Sequence, residues 1–220
     1  MTNSALAQAL RDCRLCPLWE KQAPEGVVVP PAIGANYRPR GLMLLGEAPK
    51  YAEAEGKRGK GVPFGGESGA MLDTLLAEAE LTRDELILDY TVRHRAPNNR
   101  MRDYPEAVMS CGKWTNWMMA TYDPGVVLVM GATPLKEIYG EKAGVGMTRG
   151  TLRPLSKRHQ WGARVVIATY DPGAAVYQGG AQSEVGRFIY QDLLTAKEVV
   201  RALNGGHDAK EASTLCGTVS

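Results

Sequence analysis

The 220-residue sequence has no run of about 18 consecutive apolar residues, so it offers no helix built to cross a bilayer. Its N-terminus, MTNSALAQALRDC, lacks the basic, apolar and small-residue order of a secretory leader, and a cytoplasmic setting is expected. A surplus of one charge is also missing. The 26 Lys and Arg face 24 Asp and Glu, a formal net charge of +2. That balance permits nucleic-acid binding without arguing for it, so the clustering of cations matters more than their sum. Cysteine is scarce, at four residues. In a reducing compartment these read as metal ligands or a redox dithiol rather than as a disulfide framework.

The chain is long enough to bury one sizeable core, and we read residues 1–203 as a single domain. Four apolar runs, GLMLLGEAP, ELILDYTV, GVVLVMG and ARVVIATY, alternate with segments of helical periodicity. The helices include SGAMLDTLLAEAEL with Ser68 as its expected cap, the Pro105-initiated run to Tyr122, and a closing helix from Ser183. Continuous apolar strands joined by helices predict an α/β fold: a central four-stranded parallel sheet flanked by helices on both faces. From Asn204 onward the chain is polar and rich in Gly, Ser and Thr, which predicts a disordered tail over residues 204–220.

Ligands of such sheets bind beyond the carboxyl ends of the strands. The first strand delivers Glu47, Ala48, Pro49 and Lys50 there, the second Tyr90, and the fourth Asp171. Asp171 precedes Pro172, so it suits a turn as well as a site. Upstream, Cys13 and Cys16 form a C-x-x-C pair without the βα context of a thioredoxin-like dithiol, which favours metal. A pair is half a site. His94, in TVRHRAPNNR, and Cys111 would complete a Cys₃His set.

In order, CRLCPL, GEAP, GVPFGGESGAMLDTLL, RAPNNR, Cys111, VVLVMGATPLKEI, RGTLRPL and ATYDP resemble the iron–sulfur uracil-DNA glycosylases of family 4, over residues 10–200. The resemblance implies a four-stranded parallel sheet, DNA as partner and a [4Fe–4S] cluster on four cysteines. Here His94 stands at the third cysteine position; imidazole can ligate iron–sulfur centres, and Cys₃His suits zinc equally well. The cluster is expected and zinc is the alternative. Its role would be structural, pinning the N-terminal segment to the loop that carries Arg95, Asn98 and Arg100.

The resemblance also assigns base stacking to Phe64 and places Ala48 and Tyr90 at the base. Three residues depart from the family. Asp171 replaces a histidine that can donate to the leaving pyrimidine, and an ionised carboxylate cannot donate. Tyr90 replaces an asparagine whose amide reads the base edge. Lys50 replaces a glycine near C5 of the base, where an ammonium could meet a polar or anionic substituent. Together they predict altered chemistry on an extruded, modified pyrimidine. Glu47, Lys50 and Asp171 are the catalytic candidates. Hydrolysis of the N-glycosidic bond is the economical form. The alternatives are replacement of a C5 substituent, with an amine or amino acid as second substrate, and a silent DNA-binding member.

Basic residues expected on DNA are Lys57, Arg58 and Lys60 in a longer, glycine-rich loop, then Arg100, Lys113, Lys157 and Arg158. His159 is a remote candidate for acid–base work. A monomer of prokaryotic or viral origin is expected.

Overall fold

The computed structural model describes residues 3–21, 27–57, 59–140 and 142–217. Among them, six strands form one sheet: β1 (Ala32–Ile33), β2 (Leu42–Gly46), β3 (Leu86–Tyr90), β4 (Val126–Met130), β5 (Leu152–Pro154) and β6 (Val165–Thr169). The order is β1-β3-β2-β4-β6-β5. The central four strands are parallel, as expected, while β1 and β5 add short antiparallel edges. The helices are α1 (Asn3–Arg11), α2 (Leu18–Lys21), α3 (Tyr51–Ala54), α4 (Glu67–Glu78), α5 (Pro105–Tyr122), α6 (Ala132–Tyr139), α7 (Val145–Thr148), α8 (Pro172–Tyr177), α9 (Glu184–Asn204) and α10 (Ala209–Cys216). No helix among the described residues is long and apolar enough to cross a membrane.

Strand side chains alternate between two cores. Leu42, Leu44, Leu86, Leu88, Val126, Leu128, Val165 and Ile167 pack with α4 and α9 on one face. Met43, Leu45, Ile87, Val127, Val129 and Val166 pack on the other, with Leu6 and Leu10 of α1, Met118 of α5 and Leu135 of α6. Every residue of the four parallel strands is buried, which is why they read as continuous apolar runs.

Three local expectations are corrected. Gly66, not Ser68, is the N-cap of α4, and Ser68 lies within its first turn. The basic loop after Lys50 begins with a helical turn, α3. The tail is ordered through α10: Asp208 accepts from the Lys210 and Glu211 N–H groups, and Glu211 accepts from the Asp208 N–H. Ala212 and Ser213 of α10 are buried, and the helix packs on α9 and β5.

Asp89 of β3 and Arg93 form an ion pair in which both side chains are fully buried. The guanidinium also donates to the Cys111 carbonyl and the Thr115 hydroxyl of α5, each at 3.3 Å. Removing one partner of such a pair leaves an uncompensated buried charge. Arg93→Met is therefore expected to lower unfolding free energy by about 3–5 kcal/mol in urea titrations. The double variant Asp89→Leu/Arg93→Met should recover much of that loss, because no charge is stranded. Equal losses in both variants would show that packing, not charge, carries the effect.

Candidate active site

The chain passes from β2 to β3 on one side of the sheet and to β4 on the other, so the strand order reverses beside β2. A crevice at the carboxyl ends of these strands is where such folds take ligands. Glu47 follows β2, and Thr133 opens α6 after β4. The Thr133 hydroxyl donates to the Glu47 carboxylate across this switch point.

Asp171 follows β6 and is the N-cap of α8, its Oδ1 accepting from the Gly173 N–H at 2.7 Å. The turn reading of this residue is therefore realised. The same oxygen also meets the Lys50 ammonium at 3.2 Å, and Lys50 Nζ lies 3.4 Å from the Ser68 hydroxyl. Three polar side chains, from the segment after β2, from α4 and from the segment after β6, thus converge on the backbone of Gly173. A Cβ at Gly173 would lie within 2.9 Å of all three, so the cluster requires a residue without a side chain there. The Lys50 and Asp171 side chains are 41% and 28% exposed, open enough to meet a ligand.

Beneath the pair lies Glu53 of α3, which sequence reasoning missed. It is 2% exposed. Its carboxylate accepts from the Lys50 N–H at 2.9 Å, the Gly66 N–H at 3.3 Å and the Tyr90 hydroxyl at 3.5 Å. Its only sequence signal is a glutamate three residues after Lys50, the spacing of a capping box. Tyr90 and Phe64 are both buried, their ring centroids 4.8 Å apart and tilted by 35°. The Phe64 N–H donates to the Tyr90 oxygen at 2.8 Å. Burial, then the nearby Glu53 carboxylate, pushes the Tyr90 phenol well above its ordinary value. Ala48 packs against a third buried cluster, and Asn99, not foreseen, lines the crevice with Glu47, Pro49 and Lys50.

The basic residues divide. Lys57 and Lys60 are exposed after α3, and Arg100, at the crevice end, pairs with Asp103 at 3.0 Å. Arg58 lies outside the described residues. Lys113 of α5 is exposed and sits over the Trp114 ring. Arg95 is held by Glu55 at 2.7 Å. Lys157 and Arg158 occupy the turn between β5 and β6. Because β5 runs antiparallel to β6, that turn lies at the opposite end of the sheet from the crevice. His159 shares it and accepts the Trp161 N–H, which removes it from the site's chemistry.

Cys16 and Cys111 share a buried cluster with Val92, Ala96 and Met101. Burial pushes both thiols up, and each feels Cys13 electrostatically. His94 is buried, and burial followed by the Arg14 guanidinium lowers its pKa to about 4. Its imidazole is therefore neutral, the form that ligates metal. Among the described residues no three His, Cys, Asp or Glu side chains are gathered as a metal-holding group. In donor type alone, three thiols and a neutral imidazole are what a soft metal centre takes.

An open α/β sheet with a carboxylate at its switch point and the Lys50–Asp171 pair at its strand ends is the arrangement of an α/β fold that takes ligands at that end. Residues 34–194 match the uracil DNA glycosylase superfamily. The chain belongs to that superfamily. It is 28% identical over 198 residues to a type-4 uracil-DNA glycosylase of Thermotoga maritima, covering 89% of this chain and 93% of that protein. It is 27% identical over 184 residues to the type-4 enzyme of Archaeoglobus fulgidus, covering 81% and 85%. The Sulfurisphaera tokodaii type-4 enzyme is 29% identical over 170 residues, 75% of this chain and 71% of that protein.

The two roles of Asp171, cap and counter-ion, are separable. Asn caps a helix about as well as Asp, whereas Ala does not. Asp171→Asn should change stability by under about 0.5 kcal/mol, and Asp171→Ala should cost about 1 kcal/mol in thermal or urea unfolding. Equal losses would mean that the ion pair, not the cap, holds α8.

Proposed function

We propose that this chain is a DNA-acting enzyme that receives an extruded pyrimidine other than plain uracil and cleaves its N-glycosidic bond. The observation that carries the reading is the Lys50–Asp171 pair beside Glu47 at the strand ends. In this reading Glu47, oriented by Thr133, holds the attacking water. The nearby carboxylates stabilise the positive charge that develops on the sugar as the bond breaks. Asp171 cannot donate to the departing base, but the ammonium beside it can, so Lys50 takes over stabilisation of the leaving anion. Lys50 also faces any polar or anionic group at C5. Lys57, Lys60 and Arg100 would contact phosphates.

One feature favours a second reading, replacement of a C5 substituent. A groove of about 260 Å³ adjoins the pair, lined by Lys50, Glu53, Ser68, Gly173 and Tyr177 among others. It has room for a small amine or amino acid. The amine nitrogen would attack the exocyclic carbon of a phosphorylated hydroxymethyl group. The carbon–oxygen bond would break, phosphate would leave against Lys50, and Asp171 would take the proton.

Mass spectrometry of bases and nucleosides tests both. DNA carrying uracil, 5-hydroxymethyluracil or its phosphate ester is incubated with the protein, with and without amines. Release of a modified base, with plain uracil DNA largely untouched, is the expected result. An intact strand with an added mass at the base would replace the first reading with the second, and no change in any substrate would overturn both. Asp171→Asn should lower turnover by about 10²-fold while DNA affinity is kept.

Cys13, Cys16, His94 and Cys111 would hold a [4Fe–4S] cluster, with zinc as the alternative. Such a centre would tie the N-terminal segment to α5 and the 91–96 loop, a structural contribution. Anaerobically purified protein should be brown, absorb broadly in the violet and contain iron and sulfide. Cys16→Ser should lower both iron content and melting temperature. Colourless protein with one zinc per chain would overturn the cluster.

A further inference from the structure

The space between Phe64 and the end of β3 is built as a stacking site, and it is already full. Phe64 has φ +52°, a left-handed conformation uncommon for a residue with a side chain. That conformation turns its ring toward the strand ends and its N–H into the same space. Gly46, paired in register with Tyr90, makes the space possible. A Cβ there would stand 2.8 Å from the Phe64 ring and 3.0 Å from the Tyr90 ring. An aromatic face beside a backbone donor is what a flipped base with ring carbonyls uses, through stacking and edge hydrogen bonds. Tyr90 takes both. Its ring lies on Phe64, its oxygen accepts the Phe64 N–H at 2.8 Å, and its hydroxyl points to Glu53.

We propose that Tyr90 is a resident occupant of the base-stacking site and thereby a specificity-determining residue. The inference rests on the reading that the crevice receives a base. Tyr90 is 3% exposed, and displacing it would break two hydrogen bonds and strip a whole ring from the core. It therefore stays and forms the floor. The extruded pyrimidine is held in the outer crevice, above Tyr90, where Glu47, Lys50, Ser68, Asn99 and Asp171 are its neighbours. Its deep edge goes unread. Selection falls instead on the outward edge and its substituent, and the substrate class this favours is a pyrimidine bearing a polar or anionic group. Glu53 is a positioning residue here, since one carboxylate fixes the Tyr90 hydroxyl, the Lys50 backbone and Gly66 before Ser68.

Free-base binding tests this without any strand chemistry. Uracil and phenol are titrated into wild type, Tyr90→Phe and Tyr90→Gly, followed by saturation-transfer NMR and thermal shift. Wild type and Tyr90→Phe, which keeps the ring, should show no saturable uracil binding at millimolar concentration. Tyr90→Gly should take up phenol and uracil at least about tenfold more tightly, as cavities left by a deleted ring bind ligands of its shape. Uracil binding by wild type as tight as by Tyr90→Gly would overturn the proposal, as would a Tyr90→Gly protein that folds but binds neither ligand. Should Tyr90→Gly fail to fold, wild type decides with fluorouracil and fluorine NMR. No perturbed resonance supports the proposal, and a shifted resonance competed away by uracil overturns it. Because nothing is cleaved, this result and the nucleoside assay can fail separately.

Discussion

The buried ion pair of Asp89 and Arg93 is the constraint on which the rest of the molecule depends. Asp89 points to the face of the sheet covered by α5, and Arg93 returns to meet it after only three intervening residues. The guanidinium then spends its remaining donors on the Cys111 carbonyl and Thr115 of α5. The Arg93 carbonyl accepts from the Val29 N–H at 2.9 Å, which draws the N-terminal segment onto the same spot. An ion pair with no access to water is costly unless its donors and acceptors are satisfied, and this one has partners in three parts of the chain. It fixes the path of the loop that follows Tyr90 and carries His94. Strand, cysteine helix and crevice floor are placed by a single arginine.

On the opposite face of β3 the organising group is again a buried carboxylate, but one with no cation paired to it among the described residues. Glu53 gathers backbone N–H groups and a phenol, and so links α3, the approach to α4 and the end of β3. The two acids divide the labour. Asp89 sets the scaffold, and Glu53 sets the inner wall of the crevice. The half-buried pair of Lys50 and Asp171 carries no such structural load apart from the cap that Asp171 supplies to α8. The residues around the crevice are bonded to one another: Lys50 to Asp171 and Ser68, Tyr90 to Phe64 and Glu53.

The four parallel strands were legible in the sequence because burial on both faces makes them unbroken apolar runs. The edge strands β1 and β5 were not, since two or three residues carry no periodicity. Strand ends alone suggested that Glu47, Lys50, Tyr90 and Asp171 converge; Lys50 meets Asp171 at 3.2 Å, whereas Tyr90 is buried against Phe64 and Glu53. Arg93 was hidden by its neighbours: between Val92 and His94-Arg95 it reads as one cation of an exposed basic loop, and only tertiary burial distinguishes it. Lys157 and Arg158 show the converse error. Their charge suggested DNA, but the antiparallel turn of β5 into β6 carries them to the far end of the sheet. Composition misjudged residues 209–216 because a capping box and two buried small residues order a helix with little apolar content.

The seating of the N-terminal cysteines has a consequence for how the protein is made. Cys16 is buried against residues of the 92–101 loop and of α5, which follow it by most of a hundred positions in the chain. During synthesis Cys16 leaves the ribosome long before Val92, Met101 and Cys111 exist to cover it. For that interval its thiol is bare to oxidants. A reducing medium is then a condition of successful synthesis.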